Sequence, residues 1–164
     1  MPLTKQILQI IHLGEKYHKP LIIIVNKCDL MVNRKEIEKE VRNRLKSLHY
    51  CPLIFLSALQ GQGINSLKKI LEKIYHQSQK NFTKKEIEEI IKSMLANNPP
   101  RYYQGNKLKI YFAKYESGLV PFFIFFVNNP QWLHFSYQRY MINYLRKNLG
   151  LEYLPIQTIF KKSN

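Results

Sequence analysis

Two short apolar runs, Leu-Ile-Ile-Ile-Val at 21–25 and Pro-Leu-Ile-Phe-Leu at 52–56, stand about thirty residues apart, with a charged stretch of helical period between them. Parallel strands need a crossover of a dozen or more residues, usually a helix, whereas antiparallel neighbours need only a tight turn. The spacing therefore predicts a parallel pair in an α/β layer. An unbroken β-branched run reads as a strand buried on both faces. Open sheets of this kind place ligand contacts beyond the carboxyl ends of their strands. Both runs end in polar clusters: Asn26-Lys27-Cys28-Asp29 after the first, Ser57-Ala58-Leu59-Gln60-Gly61-Gln62-Gly63 after the second.

The first cluster suits one ligand edge in particular. An ionised carboxylate only accepts hydrogen bonds. The Watson-Crick edge of guanine offers it two adjacent donors, the ring N–H and the exocyclic amine, which adenine does not present as a pair. Asp29 is the expected discriminator for a guanine base. Asn26 can tie the loop together and reach the O6/N7 side, while the stem of Lys27 lies along the base and keeps its ammonium in water. Asp29 is also the only aspartate in the chain. Phosphoryl transfer needs a G-x-x-x-x-G-K-[ST] loop around the phosphates and an Asp that helps to hold Mg²⁺. The sequence has no such loop, and its one Asp is committed to the base. This chain alone is not expected to hydrolyse GTP, and Mg²⁺ is expected only together with a half-domain outside it.

Taken in order, residues 4–17 carry Ile7, Leu8, Ile11 and His12 at helical spacing, a helix that leads into the first strand across Lys19 and Pro20. From Asn33 a charged helix carries Ile37, Val41, Leu45 and Leu48 on one stripe, with Glu38 placed to pair with Arg42 and Glu40 with Arg44. After the second strand, Ile64, Leu67, Ile70, Leu71 and Ile74 mark a third helix. Helix, strand, helix, strand, helix is the order of the second half of a doubly wound domain. The period breaks over 76–82. We read 78–82 as a linker between a first domain, 1–77, and a second, 83–164.

Thr83 and Glu86 set up a T-x-x-E capping box for a helix that buries Ile87, Ile90, Ile91, Met94 and Leu95 and stops before Asn97-Asn98-Pro99-Pro100. Sixteen of the 21 aromatic residues lie from Tyr102 onward. Residues 107–115 and 121–127 read as two strands around a turn at Ser117-Gly118. Tyr137, Tyr140, Met141, Tyr144 and Leu145 share one stripe of a helix ending at Gly150, and that spacing favours packing over stacking on a ligand. A closing strand covers 155–161. This is an α+β order, a small sheet backed by helices.

The formal net charge is +15, from 26 Lys and Arg against 11 acids, which favours a polyanionic partner. Residues 99–164 hold nine basic residues against two acidic ones. Two cysteines and five scattered histidines show no metal-ligand spacing. No run of eighteen apolar residues exists and no secretory pattern precedes Leu21, so a cytoplasmic location without membrane contact is the expectation.

With Asn-Lys-x-Asp and Ser-Ala in this order, the first part resembles the GTPase superfamily, in which Ser57 and Ala58 would close over the base and offer backbone N–H to its O6. The later part carries Gly105-Asn-Lys-Leu-Lys-Ile, Pro121-Phe-Phe-Ile-Phe-Phe-Val-Asn128, Ser136-Tyr-Gln-Arg-Tyr140 with Asn143, Leu145 and Arg146, and Pro155-Ile with Phe160. Both parts together resemble the C-terminal portion of the Der (EngA) family of bacterial GTPases. Cys28 stands where that family usually has Trp. The resemblance implies a P-loop GTPase half-domain followed by a KH-like domain, GTP or GDP as ligand, and a role in large ribosomal subunit assembly through rRNA. It also implies a preceding GTPase portion, absent from this sequence, which could complete the first domain as another chain. No G-x-x-G loop of the kind that clamps RNA backbone is present. The expected phosphate contacts are Lys107, Lys109, Lys114, Arg139, Arg146, Lys147, Lys161 and Lys162, with no DNA partner expected. A freestanding KH-like module that binds rRNA or protein without nucleotide, and a decayed gene remnant, are the alternatives left open.

Overall fold

A computed structural model describes residues 4–103 and 105–163. The chain divides into two compact units, one comprising the described residues through Gln77 with Tyr153–Pro155, the other Ser78–Glu152 with the residues from Ile156 on.

In the first unit, Thr4 caps helix α1 (Lys5–Lys16) by accepting from the Ile7 N–H, which satisfies one orphan donor of the first turn. The strands are shorter than the apolar runs that announce them. Strand β1 is Ile23–Val25 and β2 is Leu53–Phe55, paired in parallel with Ile24 opposite Ile54. Helix α2 (Arg34–Arg44), capped by the Asn33 side chain, makes the crossover. The helix ends at Arg44, short of the expected stripe; its Val41 joins Leu45, Leu48 and Cys51 from the turns beyond it in a core that gathers Leu8, Ile11, Leu21, Ile23 and Leu53. Helix α3 (Ile64–Ser78) follows β2.

Two expectations are corrected here. Ile24 is 44% exposed, so β1 is not buried on both faces; with β2 as its one partner, the face carrying Ile24 stays open. Glu40 pairs with Arg44 at 3.3 Å, but Arg42 turns from Glu38 to the carbonyls of Cys51 (2.8 Å) and His49 (3.3 Å), both of which accept from its Nη1.

The second unit opens with the capping box: Thr83 and Glu86 bond each other's backbone N–H, and helix α4 (Lys84–Asn97) buries Ile87, Ile91 and Met94. A two-residue strand β3 (Tyr102–Tyr103) pairs with β4 (Asn106–Lys107), so the expected strand from 107 begins as a separate hairpin. Strands β5 (Ile110–Glu116), β6 (Phe122–Val127) and β7 (Gln157–Lys162) form one sheet with β6 in the centre, antiparallel to β5 and parallel to β7. The continuous apolar run of β6 divides by alternation. Phe123, Phe125 and Val127 are fully buried, while Phe122 and Phe126 on the other face are half-buried. Helix α5 (Phe135–Asn148) buries Met141 and Leu145. Its tyrosines hold α4: Tyr137 donates to the Asn98 carbonyl and Tyr140 to that of Met94, each at 2.8 Å, and Tyr144 accepts from Asn97 at 3.0 Å.

The period break that reads as a linker has structure. Residues 76–78 continue α3. Lys80 donates to the carbonyls of Leu149 (3.0 Å) and Gly150 (3.1 Å) at the carboxyl end of α5, where a cation meets the helix dipole. Phe82 packs edge-on against Tyr115.

Candidate guanine-recognition site

The two polar clusters meet at the carboxyl ends of β1 and β2. The Cys28 N–H donates to the Leu56 carbonyl at 3.0 Å, carrying the parallel ladder one step past the strands. The Asn26 side chain then bridges the loops, its Oδ1 accepting from the Lys27 N–H at 2.8 Å and from the Ala58 N–H at 3.1 Å. Lys27 is held in the left-handed region (φ 59°, ψ 40°), which costs a non-glycine residue about 1–2 kcal/mol. That strain turns the chain into a short 3-10 turn, Cys28–Leu30, which contains Asp29.

Asp29 is partly buried, and its Oδ1 is shut away from solvent with no hydrogen-bond partner among the described residues. A buried acceptor left empty is rare because it forfeits its hydration without replacement. Here it lies on the residue whose carboxylate is expected to meet two donors of a base.

The second loop is closed on itself. Ser57 is 1% exposed; its N–H donates to the Gln62 carbonyl at 3.0 Å and its Oγ accepts from the Gln60 N–H at 3.2 Å. Gly63 (φ +80°) is required, since a Cβ there would collide with the Phe55 carbonyl oxygen. Sequence reasoning missed two supports: Gln62, whose Oε1 receives Cys28 Sγ at 3.6 Å, and Arg34, which donates to the Cys28 carbonyl at 3.2 Å. The signal for Gln62 was its place between two glycines, a loop that must fold back. The Ala58 N–H expected to serve a base is engaged by Asn26, so a base would share that donor or take it over.

Among the described residues no group of three or more His, Cys, Asp or Glu side chains comes together to hold a metal ion. Cys28 and Cys51 are buried free thiols. Among the described residues no helix is long and apolar enough to cross a membrane.

The basic residues of the second unit do not form one patch. Lys114 and Lys161 share the open sheet face with Phe126, Lys114 Nζ lying 5.7 Å from that ring. Lys107 is on the β3–β4 hairpin, Lys109 precedes β5, Lys162 ends β7, and Arg139 and Lys147 are exposed on α5. Arg146 is 9% exposed, and its Nη1 donates to Asn143 Oδ1 at 3.0 Å.

Residues 2–95 match the elongation factor Tu GTP binding domain family, and residues 81–161 match the KH-domain-like family of EngA bacterial GTPase enzymes, C-terminal. The chain is 34% identical over 165 residues to GTPase Der of Mycoplasma capricolum, covering 98% of this chain and 38% of that protein. It is 36% identical over 162 residues to GTPase Der of Persephonella marina, covering 96% and 36%. The chain thus spans a little over a third of the length of these curated relatives. Among solved structures, Era in complex with MgGDPNP and nucleotides 1506-1542 of 16S ribosomal RNA aligns with a TM-score of 0.38 at 15% identity, over 98% of this chain and 61% of that one. That likeness is too distant to carry function across.

Proposed function

The chain belongs to the Der (EngA) family of GTPases, and from that premise we propose that its first unit reads the guanine base of GTP or GDP while its second contacts rRNA during large ribosomal subunit assembly. The observation that carries the first half is the buried, unpartnered Oδ1 of Asp29 at the end of a loop fixed by Asn26. The Asp29 carboxylate accepts the ring N–H and exocyclic amine of the base. Asn26, whose Nδ2 has no partner among the described residues, donates to its N7 side, and Ser57 and Ala58 close the loop over it. Lys27 lies along the ring.

No step of hydrolysis is assigned to these residues. The triphosphate and Mg²⁺ belong with residues this chain does not supply. Contact with RNA is electrostatic and salt-sensitive, through Lys107, Lys109, Lys114, Arg139, Lys147, Lys161 and Lys162, and the chain acts in the cytoplasm.

Charge-assisted hydrogen bonds are worth about 1.5–3 kcal/mol each. In titration calorimetry GDP is expected to bind measurably more tightly than ADP, and Asp29→Ala to abolish the difference. Equal retention of ADP and GDP by the unaltered chain would refute the assignment.

A further inference from the structure

The second unit contains a cleft of about 420 Å³ that the basic residues named above do not describe. One wall is the segment after α4, with Arg101 and Tyr102; the other is the start of α5 with Trp132 and His134 ahead of it, and Tyr137 and Tyr140 form the floor. Its volume falls in the range of small-ligand clefts.

The floor is rigid. The Tyr137 and Tyr140 hydroxyls are committed to backbone carbonyls of α4 and its cap, so these rings offer surface rather than donors. Burial pushes the pKa of both phenols above the ordinary value, which favours their neutral form. Tyr102 is different: it is 73% exposed and takes no share in a core. It stands opposite Lys107 in the β3–β4 ladder, with Lys107 Nζ 5.9 Å from its ring centre. His134 caps α5 through Nδ1, which accepts from the Ser136 N–H at 3.2 Å.

The chemistry of the lining selects among ligands. Aromatic walls suit a quaternary ammonium, a proline-rich peptide or a nucleobase. No acidic side chain is among the lining residues, and Arg101 in the lining, together with Lys107 against the Tyr102 ring, repels an ammonium. A neutral peptide leaves those cations without a counterion, whereas a nucleotide brings a flat ring for the aromatic wall and a phosphate for the rim.

We propose that this cleft holds one unpaired nucleotide of an RNA strand, its base stacked on Tyr102 beside Trp132 and its phosphates met by Arg101 and Lys107. The proposal rests on the rRNA reading above and names the place where that contact reads a base rather than only charge.

Trp132 is the only tryptophan in the chain, so its emission reports on this cleft alone. The full chain is titrated at low salt with a decamer of uridylate, followed in parallel by Trp132 emission and by polarisation of labelled RNA. Saturable quenching is expected. Tyr102→Ala should weaken binding roughly ten-fold, as for loss of one stacking partner, and Tyr102→Phe should retain it. Tyr102 is a surface residue, so both variants should keep the far-ultraviolet circular dichroism of the parent.

RNA binding by polarisation, with Trp132 unmoved and Tyr102→Ala unaffected, would overturn the cleft while leaving rRNA contact through other lysines standing. Equal quenching by inorganic polyphosphate would make this an anion site without a base. Quenching by a proline-rich peptide but not by RNA would reassign it to a protein partner. No RNA binding by either readout would remove the rRNA reading itself.

Discussion

Among the described residues two pairs of strands run parallel, and they carry opposite things. β1 and β2 pair over three residues, leave Ile24 exposed, and end in loops that hold an empty carboxylate oxygen and a strained lysine. β6 and β7 pair over six, with β5 on the far edge of β6, and β6 places Phe123, Phe125 and Val127 out of contact with water. Buried area near 25 cal/mol per Å² favours the second arrangement heavily. Polar groups awaiting a ligand contribute nothing until one arrives. The first unit therefore keeps its chemistry at the margin of a thin ladder, and the second spends its sheet on packing. Local stability should differ accordingly.

The largest effect comes from the better packed side. Phe125→Ala should cost about 3–5 kcal/mol, the range for a fully buried aromatic side chain. Hydrogen exchange should show lost protection through β5, β6 and β7 while the amides of β1 hold their rates. In the unaltered protein the β6 amides should already exchange more slowly than those of β1; uniform protection across both units would break the comparison.

Gly63→Ala probes the other side. Its positive φ and the collision with the Phe55 carbonyl combine to a strain of roughly 1–3 kcal/mol. The expected result is faster exchange in β1 and β2 and weaker GDP retention, with β5 to β7 unchanged.

The smallest effect is Tyr137→Phe, which removes the hydroxyl bond to the Asn98 carbonyl and should cost about 1 kcal/mol. Burial, and secondarily Tyr140, push the pKa of Tyr137 above its ordinary value. A group raised on folding gives its full stability below its unfolded value, near pH 10, and loses it as pH climbs toward the folded value. Alkaline unfolding curves should fall above about pH 10, and less steeply in Tyr137→Phe.

Much of this was legible because the signals were local. The capping box at Thr83 and Glu86 forms as the T-x-x-E pattern implies, since both partners lie within one turn. The apolar stripe at Ile37 and Val41 faces the core because helical period puts those residues on one face, whereas Leu45 and Leu48 reach it from the cap and the 3-10 turn that follow Arg44. What escaped were choices made by tertiary partners. Arg42 leaves Glu38 for two carbonyls that only the folded loop at 49–51 brings within reach. Arg146 resembles its exposed neighbour Lys147 in sequence, yet its place on the helix turns it inward. Strand β3 is two residues long and exists through its pairing with β4. At the candidate guanine site the motif residues were readable, but Gln62 and Arg34, which brace them, belong to no motif.

The central assignment, a carboxylate that recognises guanine by accepting two hydrogen bonds, is tested most directly by changing which atoms Asp29 offers. In Asp29→Asn the amide presents one acceptor and one donor, the complement of xanthine, which keeps the ring N–H but carries a carbonyl in place of the exocyclic amine. Calorimetric titration of this variant with GDP and xanthosine diphosphate should show GDP binding lost and xanthosine diphosphate preferred. Retained preference for GDP would contradict the assignment.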